Sequence, residues 1–221
     1  MPKKSSGTSG GENLPHLQGM GRRERRAAET RLRLFRCALE LFAKRGLSNV
    51  TVEDITEAAD VGKGTFFNYF QSKDHVLGVI TEIQLGKVRE ALELAQTGKH
   101  SIHGVMRHLF ARVTEEPGRS PELTRALLSS FLANEVVRQQ LAQNMLAGRQ
   151  MVAEIVAIGQ IRGEIDPKLR KEQVALMVQQ TLIGTMLLWS LRGEPSLQST
   201  IEQSFQHFWR AVGITNRECA S

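Results

Sequence analysis

The stretch from Thr51 to Lys73, TVEDITEAADVGKGTFFNYFQSK, constrains this chain more than any other. Val52, Ile55, Thr56 and Ala59 recur at helical spacing and place one face of a first short helix inward. Thr51 and Asp54 form a Thr-x-x-Asp start signal, in which the hydroxyl accepts from a free backbone N–H and the carboxylate reaches back. Asp60-Val61-Gly62 then breaks the pattern; Gly62 can take positive φ or cap a new helix, and Asp tolerates the left-handed region better than most residues. A second helix is expected over about Lys63 to Tyr69, with Phe66 and Phe70 inward and Lys63, Thr65, Asn68 and Tyr69 pointing elsewhere. Two short helices with hydrogen-bond donors on the second are what reading a DNA major groove requires.

Charge is distributed to match. Residues 1–50 carry eleven Lys or Arg against four Asp or Glu, a balance of +7, whereas the whole chain is +6. The basic excess sits beside the two-helix stretch, the footprint of a polyanion partner. Charge alone also fits an RNA or membrane-surface binder; the motif favours DNA. Two cysteines, Cys37 and Cys219, make neither a disulfide framework nor a metal cluster and fit a reducing cytoplasm. The basic, Gly- and Ser-rich beginning lacks the continuous apolar core of a signal peptide.

The run Ile55, Ala58-Ala59, Val61, Gly64-Thr65-Phe66-Phe67, Tyr69-Phe70, Ser72-Lys73 and Leu77 resembles the DNA-binding signature of the tetracycline-repressor (TetR) family. The resemblance extends upstream to Arg31, Ala38, Leu41-Phe42 and Gly46, covering about residues 28–88. It implies that Thr51 and Tyr69 hydrogen-bond phosphates and that Lys73 supplies charge at a helix N-terminus. It further implies that Lys63, Thr65 and Asn68 face base edges or neighbouring phosphates. Lys donates to guanine, the Thr methyl meets the thymine methyl, and Asn pairs with adenine. Thr51 as a cap and Tyr69 as a core aromatic are the plain structural readings, and both roles can coexist. Three positions depart from the family's commonest form. Gly62 stands where Ser or Thr is usual and leaves only a backbone N–H. Asp60 replaces a turn glycine. Phe67 replaces a tyrosine, keeping apolar contact but losing a phenol. Gly64 completes the expected interface.

Taken in order, residues 1–27 are expected to be a disordered basic extension, with Arg22, Arg23, Arg25 and Arg26 either a solvated run or an arm for phosphates and a minor groove. A helix over about Glu29 to Arg45 buries Leu34, Cys37, Ala38, Leu41 and Phe42 and ends at Gly46. Ser72 caps a long helix to about Ala95, the natural link to the remainder. Further helices are expected over 102–115, 122–132, 135–162, 168–192 and 197–212, with breaks at Gly163, Asp166-Pro167 and Gly193-Glu194-Pro195. The reading is all-α, about nine helices. A DNA-binding domain spans 28–88 with its helix-turn-helix at 51–70, a helical ligand-binding and dimerisation domain spans 89–213, and a tail spans 214–221. Gln173 to Leu191 contains no charged residue, yet Gln179, Gln180, Thr181 and Thr185 favour a helix buried on two sides over a membrane span.

Other motifs carry little. Gly62-Lys63-Gly64-Thr65 is not a phosphate loop, because Glu57 and Gly64 occupy places that need a glycine and a hydroxyl residue. His100, His103 and His108 lack a Cys or carboxylate at ligand spacing, so no metal or cofactor is expected. No catalytic constellation is evident, and an enzyme is not expected. In the second region, Met106, Phe110, Leu127, Phe131, Met145, Met177 and Trp189 supply an adaptable apolar interior, which fits an ordinary core. The family resemblance makes them pocket candidates, with Gln180 and Thr181 as polar anchors beside Gln179. It also implies a two-fold dimer through the last two long helices, for which Ile183, Gly184, Leu187, Ile201, Phe205, Phe208 and Trp209 are candidates. The expected function is a sequence-specific transcriptional regulator, a cytoplasmic homodimeric repressor released from a palindromic DNA operator by a small apolar or amphipathic ligand. A nucleoid-type DNA binder and a regulator controlled by a protein partner are the alternatives.

Overall fold

The computed structural model describes residues 21–133 and 135–214. The glycine-rich segment before residue 21 and the tail from residue 215 lie outside the described residues. Helix α1 runs Arg22–Arg45. It begins well before Glu29, so residues 22–27, expected in a disordered extension, are helical. Nothing from 22 to 45 is Gly or Pro, and the Glu24 carboxylate accepts the Gly21 N–H at 3.0 Å. The four early arginines therefore project, exposed, from the first turns of a helix. Gly46 ends α1 at φ 76°, its N–H donating to the Phe42 carbonyl at 2.9 Å.

Helix α2 spans Val52–Ala58 and starts at the expected reciprocal cap. The Asp54 N–H donates to Thr51 Oγ1 at 3.1 Å, and the Thr51 N–H donates to Asp54 Oδ2 at 2.7 Å. Caps of this kind contribute about 1 kcal/mol. The positive φ of the following turn falls on Asp60 (50°), while Gly62, at φ −73°, is the N-cap of α3, Lys63–Phe67. Helix α4 is Lys73–Thr97, capped by Ser72 and closed by left-handed Gly98. The remaining helices are α5 (Ile102–Val113), α6 (Pro121–Ala133), α7 (Glu135–Ile161), α8 (Lys171–Arg192) and α9 (Leu197–Val212). Among the described residues the chain is thus all-α with nine α-helices, two short 3-10 turns, and one antiparallel bridge between Ile165 and Gly213.

Two cores result. The first joins Leu34, Ala38 and Phe42 of α1 to Ile55, Phe66, Phe70 and Leu77. It also takes in Phe35 and Leu39, and Leu123 and Leu127 of α6, which packs against α1. The second centres on Phe110, Phe205 and Phe208, whose rings pack 5.2–5.4 Å from Phe110, with Val152, Val156, Val174 and Trp189 around them. Burying each such ring is worth roughly 1.5–3 kcal/mol. Helix α4 runs through both: Val76, Leu77 and Ile80 belong to the first core, Ala91 and Ala95 to the second. Helix α8 is long and apolar enough to cross a membrane by composition alone. Here it packs on α6, α7 and α9 and buries Val174, Val178 and Trp189, while Leu176, Leu187, Leu188 and Leu191 stay exposed.

Candidate DNA interface and ligand cavity

Burial of two aromatic rings orients the α2–α3 surface. Phe66 and Phe70 lie in the core with ring centres 5.4 Å apart. Anchoring them turns Gly62, Lys63, Gly64, Phe67 and Asn68 outward, and leaves Thr65 and Tyr69 half-buried. Phe67 is 50% exposed, which leaves its ring open to an apolar partner. The surface thus offers an amine, a carboxamide, an open backbone and an aromatic ring side by side, the chemistry that base edges and thymine methyls engage. No heavy atom would lie within 4 Å of a Cβ placed at Gly62 or Gly64, so the fold itself does not demand glycine at either. Lys63 is paired with Glu53 across the surface, and its hydrogen bond holds the Glu53 carboxyl below the ordinary carboxylate range.

Two residues expected at the DNA, Thr51 and Lys73, are engaged within the chain. The Thr51 hydroxyl donates to Asp54 Oδ2 at 2.6 Å, so its proton is committed while the cap is closed. That bond is the main reason the Asp54 carboxyl lies below its ordinary value, with the Thr51 N–H and Arg45, 3.3 Å away, adding to it. Lys73 is also engaged. Its Nζ donates to the carbonyls of Leu47 at 2.7 Å and Val50 at 2.9 Å, pinning the start of α4 to the segment that follows α1. It acts first as a clip, with one proton left over. Cys37 donates weakly to the Ala58 carbonyl at 3.4 Å, and burial pushes its thiol up.

Beyond the helix-turn-helix a cavity of about 420 Å³ lies between α4, α6, α7 and α8. Leu85, Val88, Leu128, Val152, Leu182 and Met186 are among its apolar wall residues. Of the expected pocket residues, Leu127, Phe131 and Met145 line it, as does Gln179. The others do not. Met106 and Phe110 are buried in the second core, where Met177 packs against it. Trp189 is buried, its indole N–H donating to the Pro195 carbonyl at 2.8 Å. Gln180 is exposed and Thr181 half-buried, because the face that α8 turns to the cavity is Val178-Gln179, Leu182-Ile183 and Met186-Leu187. That i, i+4 register was present in the sequence. The α4 wall (Ile80, Thr81, Gln84, Leu85, Val88) was not anticipated. Behind it the buried Lys87 donates to Arg112 O and Glu116 Oε2, both at 2.6 Å, and Gln84 Nε2 donates to Glu116 at 2.9 Å. A larger groove, about 630 Å³, runs between α5 and the start of α9. Its lining mixes polar and apolar residues, and its Arg107 already donates to both Glu202 oxygens at 3.0 and 2.9 Å.

The expected dimer face is corrected on α9. Ile201, Phe205 and Phe208 are buried in the chain's own core and cannot meet a partner, and Trp209 is half-buried with the His103 ring 4.9 Å away. The amphipathic stripe of α9 faces α5 and α8 instead. On α8, Ile183 and Leu187 border the cavity, although Leu187 is also exposed. Gly184 is open, with nothing within 4 Å of its would-be Cβ.

Comparison with known proteins agrees with this architecture. The sequence model of bacterial regulatory proteins, tetR family, matches residues 34–80, from within α1 into α4. The HTH-type transcriptional regulator TcmR of Streptomyces glaucescens is 38% identical over 104 residues, and the match spans 44% of this chain and 44% of that relative's length. The HTH-type transcriptional repressor KstR of Rhodococcus jostii is 23% identical over 172 residues, 74% of each chain. Among solved structures, the regulatory protein TetR of Rhodobacter sphaeroides superposes with a TM-score of 0.63 at 25% identity, covering 83% of this chain and 98% of that one. FadR of Bacillus subtilis, in complex with stearoyl-CoA, gives a TM-score of 0.64 at 18% identity over 80% and 96% of the two chains. The helix-turn-helix, the bundle that α4 joins to it, and these likenesses lead to one conclusion: residues 34–80 match the tetR family of bacterial regulatory proteins, and the chain shares the fold of solved regulators of that kind.

Proposed function

We propose that this protein is a sequence-specific, homodimeric transcriptional repressor that leaves a palindromic operator when a small molecule fills the cavity bounded by α4, α6, α7 and α8. Its place of action is the cytoplasm, where the bacterial chromosome lies. The observation that carries the reading is that α4 and α6 each serve both ends. Lys73 at the start of α4 grips the segment that leads into the helix-turn-helix, and Ile80 to Val88 of the same helix wall the cavity. Leu127 of α6 belongs at once to the first core and to the cavity wall. A ligand that moves either helix therefore repositions α3. Because a ligand shifts a two-state protein only by its differential affinity, cavity volume and α3 spacing have to change together.

In a dimer, the exposed leucines of α8 and the open Gly184 support a helix-to-helix contact, and two α3 helices then read successive major grooves. Solved relatives hold stearoyl-CoA and, in SmeT, triclosan, which supports a ligand-responsive design here. The cavity argues against control by a protein partner alone. The test has two steps. DNA selected from a random pool with the full chain should yield a palindrome. A small-molecule thermal-shift hit should then release that DNA in fluorescence anisotropy. Selection of no common sequence would move the protein to the non-specific class. Hits that stabilise without releasing DNA would separate ligand binding from regulation.

A further inference from the structure

We infer that the cavity selects uncharged lipophilic molecules and rejects anionic amphiphiles, an inference that rests on the cavity being the ligand site. None of the described residues that line it is Asp, Glu, Lys, Arg or His. Its polar residues are turned into the protein. Thr81 donates to the Gly78 carbonyl at 2.7 Å and accepts from Asn144 at 2.9 Å. Thr124 donates to the Pro117 carbonyl at 2.7 Å, and Gln179 donates to the Met145 carbonyl at 2.5 Å.

The buried Lys87 behind the α4 wall is closed off as well. Lys87 spends its three protons on the Arg112 carbonyl and the carboxylates of Glu115 and Glu116. Arg112 in turn pairs with Glu115 at 2.7 Å, so the cluster behind the α4 wall holds two positive and two negative groups and has no net charge to offer. Gln84 stands between that cluster and the cavity. Glu116, an acceptor, obliges the amide to present its NH2 end, which leaves Gln84 Oε1 buried without a partner among the described residues. A carboxylate entering this space finds no counter-charge among the described residues that line it and loses its water, so it enters only as the neutral acid.

Three probes on one skeleton test this: biphenyl, its para-carboxamide and its para-carboxylate, titrated calorimetrically against the full-length protein. At pH 8 the carboxamide and biphenyl should bind, and the carboxylate should bind on the order of a hundredfold more weakly than the carboxamide. Lowering the pH toward the carboxylate range, about 4–5, should narrow that gap as the acid becomes neutral. Leu128→Trp, which fills the cavity, should abolish binding of all three; if that variant does not fold, Val88→Phe takes its place. Carboxylate binding within threefold of the carboxamide at pH 8, and lost in the filled variant, overturns the inference. So does a site that accepts biphenyl and excludes both polar derivatives alike. Failure of all three probes overturns the cavity as a ligand site, and with it the ligand-responsive part of the proposed function, rather than its charge selection alone.

Discussion

Gly64 offers a perturbation in which stability and DNA binding should move in opposite directions. It is the second residue of α3, exposed, with φ outside the left-handed region and no heavy atom within 4 Å of an added Cβ. Glycine inside a helix costs roughly 0.5–1 kcal/mol relative to alanine through unfolded-state entropy, and a first-turn position realises the lower part of that range. Gly64→Ala should therefore stabilise the free protein by about 0.5 kcal/mol in urea denaturation, with an unchanged slope. If the backbone of α3 approaches DNA at this point, the new methyl blocks the approach. Affinity for a selected operator should then fall more than about tenfold, or ~1.4 kcal/mol, in anisotropy titrations. Because the folded protein gains stability, lost binding cannot be blamed on unfolding. A variant that is less stable, or one that binds operator as tightly as the parent, would refute the placement of Gly64 against DNA.

Further predictions follow the same geometry. Lys73→Met removes a cation from two carbonyls, and should cost about 1–3 kcal/mol of stability, read by denaturation, before any effect on DNA is considered. Asp54 has a depressed carboxyl, so its contribution is present above the unfolded carboxylate value, near 4, and disappears as pH falls through the lower folded value. The stability gap between the parent and Asp54→Asn should accordingly be constant near neutrality and close in acid, as a urea series against pH will show. Phe205→Ala should cost about 3–5 kcal/mol and lower the melting temperature sharply, because the ring is fully buried in its own chain. Leu188→Glu, on a side chain 68% exposed, should leave the fold intact and yield a monomer in analytical ultracentrifugation. A retained dimer would remove this face from the interface.

Elements whose ends are marked by local chemistry were legible in the sequence. Thr51 with Asp54, Ser72 and Gly46 each act through neighbours a few residues away, and all three sit where a cap is needed. The outward set on α3 was equally legible, because Phe66 and Phe70 leave Lys63 and Asn68 no other direction. Contacts between distant elements were not. Lys73 reads as a free cation until the carbonyls of Leu47 and Val50 are placed beside it. Phe205 and Leu188 are both apolar residues on apolar helices, and only the docking of α9 against α5 and α8 decides which is covered. Helix α8 is apolar nearly all round, so its cavity-facing side was one of several that its pattern allows. The α1 start failed for another reason: arginines are good helix formers, and a polar turn carries no periodic signal to reveal it.

The sharing of α6 between the two cores has a consequence for how such a protein can be taken apart. Residues 21–98 contain every helix of the DNA-reading unit, yet that fragment lacks Leu123 and Leu127, which complete its core, and the Ser120 hydroxyl that donates to the Ala43 carbonyl at 3.2 Å. Severed there, the fragment would expose an apolar face in place of a domain boundary. A chimera that joins this DNA-reading unit to another sensor inherits the same debt. It keeps its grip on DNA only if the new sensor presents leucine-sized side chains where α6 stood, which makes α6 part of the reading head as much as of the sensor.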